Sequence, residues 1–294
     1  MRSGKKYILA ISGGVDSVVL LEKAARREIL HDGEFPEDFV VAHFDHGIRG
    51  EESARDAEFV QSLARKYNVE FVLGKGNLLS NCNEESARKK RYEFFREVAE
   101  SIHEEKTSTS QDAKIVTAHH QNDLIETIVM NLIRGTGWRG LAPMSNNILR
   151  PLLNMTKIEI VKYAIENDLH WVEDATNFLP NYFRNRIRSF TDNFSHETSQ
   201  KFLKLYSAQK KLRDQIDQEI DENMNLSRYF LIMIPEVVAI EILRLATNSE
   251  LTHPQLSQVL LFAKTAIPNK KLKFKNIEIT TSKHDIAVTE KTFM

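Results

Sequence analysis

The sequence holds one cysteine, Cys82, among 294 residues. A single thiol cannot build an internal disulfide framework or a four-thiolate metal site, and it fits a reducing cytoplasm. Net charge is also nearly absent, with 40 basic residues against 41 acidic ones. A polyanionic partner would therefore be met by a local basic patch rather than by a field over the whole molecule. Long hydrophobic runs are missing. The amino-terminal "MRSGKKYILAISGG" joins basic residues to an apolar run of about five that breaks at Ser12, too short for a signal or a spanning helix. No membrane partner is expected. Nor does any internal repeat show at periods of about 20 to 50 residues.

What is present is ordinary in bulk: 41% apolar and 28% charged residues suit a soluble protein able to bury a sizeable core. The length suggests one full-sized domain and a smaller one. Short β-rich apolar runs, "YILAI" (7–11), "FVVAHF" (39–44), "VEFVLG" (69–74) and "KIVTAH" (114–119), alternate with stretches of helical period. These stretches are "DSVVLLEKAARREIL", "EESARDAEFVQSLARKY" and "EESARKKRYEFFREVAESIH". The alternation predicts an α/β fold: a parallel sheet with helices on both faces and ligands at the carboxyl ends of its strands. "EEKTSTSQD" (104–112) reads as an exposed loop. After "RNRIRSF" the pattern turns to helical stretches near 197–222, 236–247 and 253–264, and "KLKFKNIEIT" with "HDIAVTE" reads as a closing strand pair. The expected division is an α/β domain over 1–193 and a mainly helical domain over 194–294.

The first strand runs into "ISGGVDS". A strand that ends at Ile11, followed by small residues and a helix starting near Asp16, brings backbone N–H groups and a positive helix end to one spot. That is an anion cradle. Gly13 and Gly14 let the main chain approach a phosphate, Ser12 and Ser17 offer hydroxyls, and Asp16 can hold Mg²⁺ beside the phosphates. The plain alternative is a tight turn with a capping Asp. No Gly-Lys-Ser/Thr follows, so this is not a Walker loop. "GTGWRG" (135–140) has dinucleotide-loop spacing but follows a helical stretch rather than a strand, which removes the context that reading needs.

The Ser-Gly-Gly-x-Asp-Ser stretch resembles the signature of the PP-loop ATP pyrophosphatases, which cleave ATP between its α and β phosphates and transfer AMP to an oxygen. "HFDHGIRGEES", "ESARKKRYEFF", "AHHQNDLIETIVMNLIRGTGWRGLAPM", "RPLL" and "EDATNFLPNYFRNRIR" resemble the tRNA(Ile)-lysidine synthetase family, in that family's order and over roughly residues 7–190. Many members carry two aspartates after the histidine pair; here the first is Asn122. The resemblance implies ATP-dependent ligation of lysine to C2 of the wobble cytidine of an isoleucine tRNA. An adenylated intermediate forms, AMP and pyrophosphate leave, and codon recognition changes from AUG to AUA. It implies ATP and Mg²⁺ as cofactors, and as partners free L-lysine and an isoleucine tRNA with a CAU anticodon; a homodimer is left open.

Carried onto this chain, the nucleotide would meet Ser12, Gly13, Gly14, Val15, Asp16 and Ser17. The catalytic group would be Asp16, Asp45, His119 and Asp123, with Asp16 and Asp123 as metal ligands. Attack by lysine requires its neutral amine, whose ordinary pKa of about 10.4 calls for a base or a desolvating pocket. On a helix starting near His120, His119 or His120 shares a face with Asp123, at spacings of four and three, and Glu126 and Thr127 follow one turn on. His119 is read as a phosphate contact or proton carrier, while His120 is equally well a cap or a packing residue. Zinc is disfavoured because adjacent histidines diverge. Asp45, His46 and Arg49 follow the second strand and reach the same strand ends.

RNA contacts fall to Arg88 and Arg91, to Arg134, and to Arg184 and Arg188, with Tyr182 and Phe183 beside them for stacking. From Arg184 to Arg213 eight basic residues face two acids. Two rivals use the same loop. A tRNA thiolase would carry sulfur or an iron–sulfur cluster on cysteines, which Cys82 cannot do alone. A small-molecule amide synthetase, or a binding module, leaves the arginines unexplained.

Overall fold

The computed structural model describes residues 6–28, 38–47, 50–76, 84–104, 113–144, 148–172 and 183–290. Cys82, Arg49, Tyr182 and the expected loop beyond residue 104 lie outside the described residues. The chain runs β1 (Lys6–Ala10), α1 (Val15–Ala25), β2 (Asp38–Asp45), α2 (Glu51–Lys66), β3 (Glu70–Lys75), α3 (Glu84–Glu104), β4 (Lys114–Val116) and α4 (Gln121–Ile133). Then follow a 3-10 turn (Trp138–Leu141), β5 (Ile148–Leu149), α5 (Lys157–Glu166), α6 (Phe183–Thr191) and α7 (His196–Glu222).

Among the described residues these five strands form one parallel sheet in the order β3-β2-β1-β4-β5. Its strands are apolar on both faces, as sheets covered on both sides require. Leu9, Ile11, Val41, Val116 and Leu149 pack with residues of α1, α2 and α5, while Ile8, Val40, Ala42 and Ile115 pack with Phe95 and Val98 of α3. The expected parallel sheet with helices on both faces is borne out. β5 escaped the sequence reading because two residues carry no period.

The compact units divide at Ser207 and Ala208, inside α7. Phe202, Leu203 and Tyr206 of α7 pack with Leu124 and Ile128 of α4. That apolar contact holds the start of α7 in the first unit.

The second unit continues α7 into α8 (Arg228–Met233), α9 (Glu236–Ala246), α10 (His253–Thr265) and the strands β6 (Lys271–Lys273), β7 (Ile277–Thr281) and β8 (Ile286–Glu290). The strands form an antiparallel sheet under a core that includes Leu243, Leu256, Leu260 and Ile279. "KLKFKNIEIT" is therefore not one strand but two. Phe274 N–H donates to Ile277 O at 2.8 Å, closing a turn over Lys275 and Asn276, and Asn is a common turn former. Among the described residues, no helix is long and apolar enough to cross a membrane.

Candidate active site

The strand order sets the location of the site. From β1 the chain proceeds outward through β2 and β3, then returns to lay β4 on the other side of β1. Loops leaving the carboxyl ends of β1 and β4 diverge to open a crevice, the usual ligand position in such sheets. Residues 11–14 and 117–120 are those two loops.

In the first loop, Ser17 rather than Asp16 organises the turn. Its Oγ accepts Ser12 N–H at 3.2 Å and Gly13 N–H at 3.1 Å, and donates to Gly14 O at 2.8 Å. Gly14 stands at the N-cap of α1 and has no side chain with which to cap it, so the helix start is left to the loop backbone and the two serines. Gly13 has φ of +97°, and a Cβ there would lie 3.4 Å from Val60 Cγ2. Only glycine takes that backbone without strain. Val172 N–H donates to Gly13 O at 3.0 Å and anchors the loop from the segment after α5.

The second loop ends in a capping box. His120 Nδ1 accepts Asn122 N–H at 3.2 Å, and Asp123 Oδ2 accepts His120 N–H at 3.0 Å. Because Nδ1 accepts, a neutral His120 carries its proton on Nε2. That nitrogen lies 3.4 Å from Asp123 Oδ2 and 3.8 Å from Asp16 Oδ1. His120, expected as a cap or a packing residue, is thus a cap that also bridges the two aspartates. Burial alone would raise the Asp123 carboxyl, but His120, His119 and Arg184 hold it below its ordinary value.

His119 points elsewhere, its Nδ1 2.7 Å from Thr117 Oγ1. Burial, with Arg150, Arg88 and Arg184 nearby, lowers its pKa to about 3 despite Asp123. The imidazole is neutral at pH 7. The two histidines diverge, and among the described residues no group of three or more His, Cys, Asp or Glu could hold a metal by itself.

Two features of this crevice were not read from the sequence. Lys157, the first residue of α5, places Nζ 2.6 Å from Asp16 Oδ1. Its backbone N–H donates to Asn122 Oδ1 at 3.1 Å, so the amide that replaces the usual aspartate fastens α5 to α4. The second feature is the pairing of both α6 arginines with Glu126, 1% exposed, whose oxygens accept Arg184 Nε–H at 3.0 Å and Arg188 Nε–H at 2.9 Å. Arg184 also donates to Asp123 Oδ1 at 3.0 Å. Arg188 is held charged by its Glu126 bond although burial opposes it. The helix spacing of Asp123 and Glu126 was legible, but the cations they face come from elements far away in sequence.

The other expected residues spread outward. Val15 packs against the core beneath the loop. Asp45 ends β2 and accepts Gly47 N–H at 2.7 Å, closing a turn one strand away from the aspartate pair. Arg88 and Arg91 lie over the Tyr92 ring, 5.0 and 5.8 Å from its centre, and Arg134 lies 5.7 Å from that of Phe183. Within the basic run, Lys201 pairs with Glu197, and Lys210 and Arg213 pair with Asp214. "GTGWRG" proves to be a helix end and a 3-10 turn, where a Cβ on Gly140 would overlap Thr136.

Proteins called tRNA(Ile)-lysidine synthase are similar to this chain: that of Thermosipho africanus is 41% identical over 194 residues, 62% of this chain and 42% of that protein. That of Caldanaerobacter subterraneus subsp. tengcongensis is 35% identical over 192 residues, 62% and 38% respectively. That of Thermotoga maritima is 32% identical over 243 residues, 78% and 56%. The chain thus spans from 38% to 56% of the length of these relatives. Among solved structures, the U34-tRNA thiolase NcsA from Methanococcus maripaludis with its 4Fe-4S cluster shares the fold, with a TM-score of 0.52 at 17% identity over 72% of this chain and 73% of that one. A family model described as the PP-loop domain matches residues 2–193. With well over half its length matched, the chain belongs to the PP-loop domain family.

Proposed function

We propose that this chain carries the ATP-dependent lysine-ligating activity of a tRNA(Ile)-lysidine synthase. The observation that carries the reading is the meeting of the glycine loop at 12–17, folded over Ser17 Oγ at the start of α1, with two aspartates, Asp16 and Asp123, on either side of His120 in one crevice. The relatives' shared name supports the choice of substrate. ATP binds with its phosphates at the first turn of α1, in the loop shape that Ser17 Oγ fixes by holding the Ser12 and Gly13 N–H groups. The C2 oxygen of the cytidine attacks the α phosphorus, pyrophosphate leaves, and lysine then displaces AMP from C2.

Mg²⁺ fits the donor set, since it takes one or two carboxylates and completes its shell with phosphate oxygens and water. Asp16 and Asp123 would hold it. When bound, it supplies positive charge to the phosphates that react. The protein's own groups do the rest. The loop orients the triphosphate, and Arg184 fixes the Asp123 carboxylate. His119, neutral and weakly basic, contacts the substrate by hydrogen bonding rather than storing the lysine's proton. Asp45 shapes the turn at the crevice edge.

RNA approaches through the arginine–aromatic pairs. Arg88 and Arg134 are exposed beside Tyr92 and Phe183, a pairing suited to phosphate contact and base stacking. Arg184 and Arg188 act through α4, positioning Asp123 and Glu126. The substrates of this reading are free L-lysine and the CAU-anticodon isoleucine tRNA, and its compartment is the cytoplasm. The test is pyrophosphate release by the full chain with ATP and Mg²⁺. Release that requires this tRNA supports the reading. Release that needs only lysine or another small acceptor assigns the loop to an amide synthetase instead.

A further inference from the structure

Lys157 forms the closest ion pair that Asp16 makes among the described residues, and no step above uses it. Its ammonium lies 2.6 Å from Asp16 Oδ1, with both side chains partly open to solvent at 41% and 31%. Its main chain, by contrast, is firmly placed. Asn122 Oδ1 holds its N–H, Gln121 N–H donates to Met155 O at 2.9 Å, and Thr156 and Glu159 form a capping box around it. A fixed base with a four-carbon stem lets the charged end move while its origin stays. The segment thus spans the crevice, anchored to the first turn of α4 and reaching the first turn of α1.

We propose that Lys157 is a phosphate-binding residue that exchanges partners: it neutralises Asp16 in the nucleotide-free protein and passes to the leaving pyrophosphate when Mg²⁺ takes the carboxylate. The inference rests on the nucleotide reading of the loop. The ammonium lies 2.6 Å from Asp16 Oδ1, so a divalent cation held by the same carboxylate would stand close to it and the two would repel. The incoming phosphates offer the displaced ammonium new acceptors beside the same loop. As the bond from the C2 oxygen to the α phosphorus forms, the bond from that phosphorus to the bridging oxygen breaks. Its electron pair leaves with pyrophosphate, where negative charge grows. Lys157 keeps its protons and matches that charge by ion pairing, an interaction stronger in the transition state than before it.

The experiment uses the full chain, unaltered and as Lys157→Gln and Lys157→Arg, and measures by calorimetry the binding of Mg-ATP, Mg-pyrophosphate and AMP. Lys157→Gln is expected to weaken Mg-ATP and Mg-pyrophosphate about tenfold or more, the scale of a charge-assisted contact, and to leave AMP unchanged. Lys157→Arg is expected to recover most of the loss. The inference is overturned if Lys157→Gln binds Mg-pyrophosphate as tightly as the unaltered chain or more tightly, as it would if the lysine only blocked Asp16. It is also overturned if all three ligands weaken together, which marks a damaged cradle. If the unaltered chain binds neither Mg-ATP nor Mg-pyrophosphate, the nucleotide reading itself fails, an outcome separate from failure of the exchange.

Discussion

Replacing Arg184 and Arg188 together by Ala leaves Glu126 as a carboxylate 1% exposed with neither of its guanidinium partners. Removing the partner of a buried charge costs about 3–5 kcal/mol, because the remaining ion is desolvated without compensation. Arg184 is 25% exposed and Arg188 37%, so solvent already screens part of each pair, and the lower figure, about 3 kcal/mol, is the better expectation. For a unit of this size that corresponds to a fall in melting temperature of roughly 6–12 °C. Adding Glu126→Gln to the double variant removes the stranded charge and is expected to restore part of the loss. The assay is thermal and denaturant unfolding of the full chain, with Arg88→Ala and Arg134→Ala as exposed controls expected to stay within about 0.5 kcal/mol of the parent. If the double variant melts with the unaltered chain while tRNA binding loses salt dependence, the arginines hold phosphates rather than α4, and this account of α6 is wrong.

Asp16→Asn is expected to reduce tRNA-dependent pyrophosphate release at least about a hundredfold with an unchanged melting curve, since it removes a metal ligand and no core volume; a normal rate rules out the metal role. Gly13→Ala forces a side chain onto φ of +97°, costs about 1–2 kcal/mol, and should weaken Mg-ATP binding measured by calorimetry; an unaffected Kd removes the loop from the site. His119 has its pKa lowered to about 3, mainly by burial. The unfolded chain therefore binds this proton first as pH falls. Stability from His119 is complete above about pH 6.5 and declines below it, by up to about 1.4 kcal/mol per pH unit until roughly pH 3. His119→Gln should flatten that decline in urea titrations between pH 7 and 4.5; an identical slope would mean the ring protonates as freely as in water.

The sheet and its loop were legible because both follow from local pattern. "YILAI", "FVVAHF" and "VEFVLG" are too short and too β-branched for helices, and the periodic stretches between them fixed the alternation. Small residues between Ile11 and the first helix similarly point to a main-chain cradle. Whatever depended on distant partners was not legible. Arginines four apart on a helix look the same whether they face phosphate outside or Glu126 inside, and only the packing of α6 on α4 decides between them. Lys157 is one of many lysines in the sequence; its value comes from the crossover that lays α5 beside α1. Asn122 looked like a lost acid, but its carbonyl oxygen still accepts the Lys157 N–H, a job that needs an acceptor and no charge.

The proposed reaction of this chain joins lysine to a cytidine of tRNA. It is tested most directly by incubating the full chain with ATP, Mg²⁺, lysine and the CAU-anticodon isoleucine tRNA, then digesting the RNA and weighing its nucleosides by mass spectrometry. The account predicts loss of the wobble cytidine and appearance of a cytidine carrying one lysine, with neither change when ATP is omitted or Asp16→Asn is used. An unmodified wobble cytidine in the presence of ongoing pyrophosphate release would contradict it.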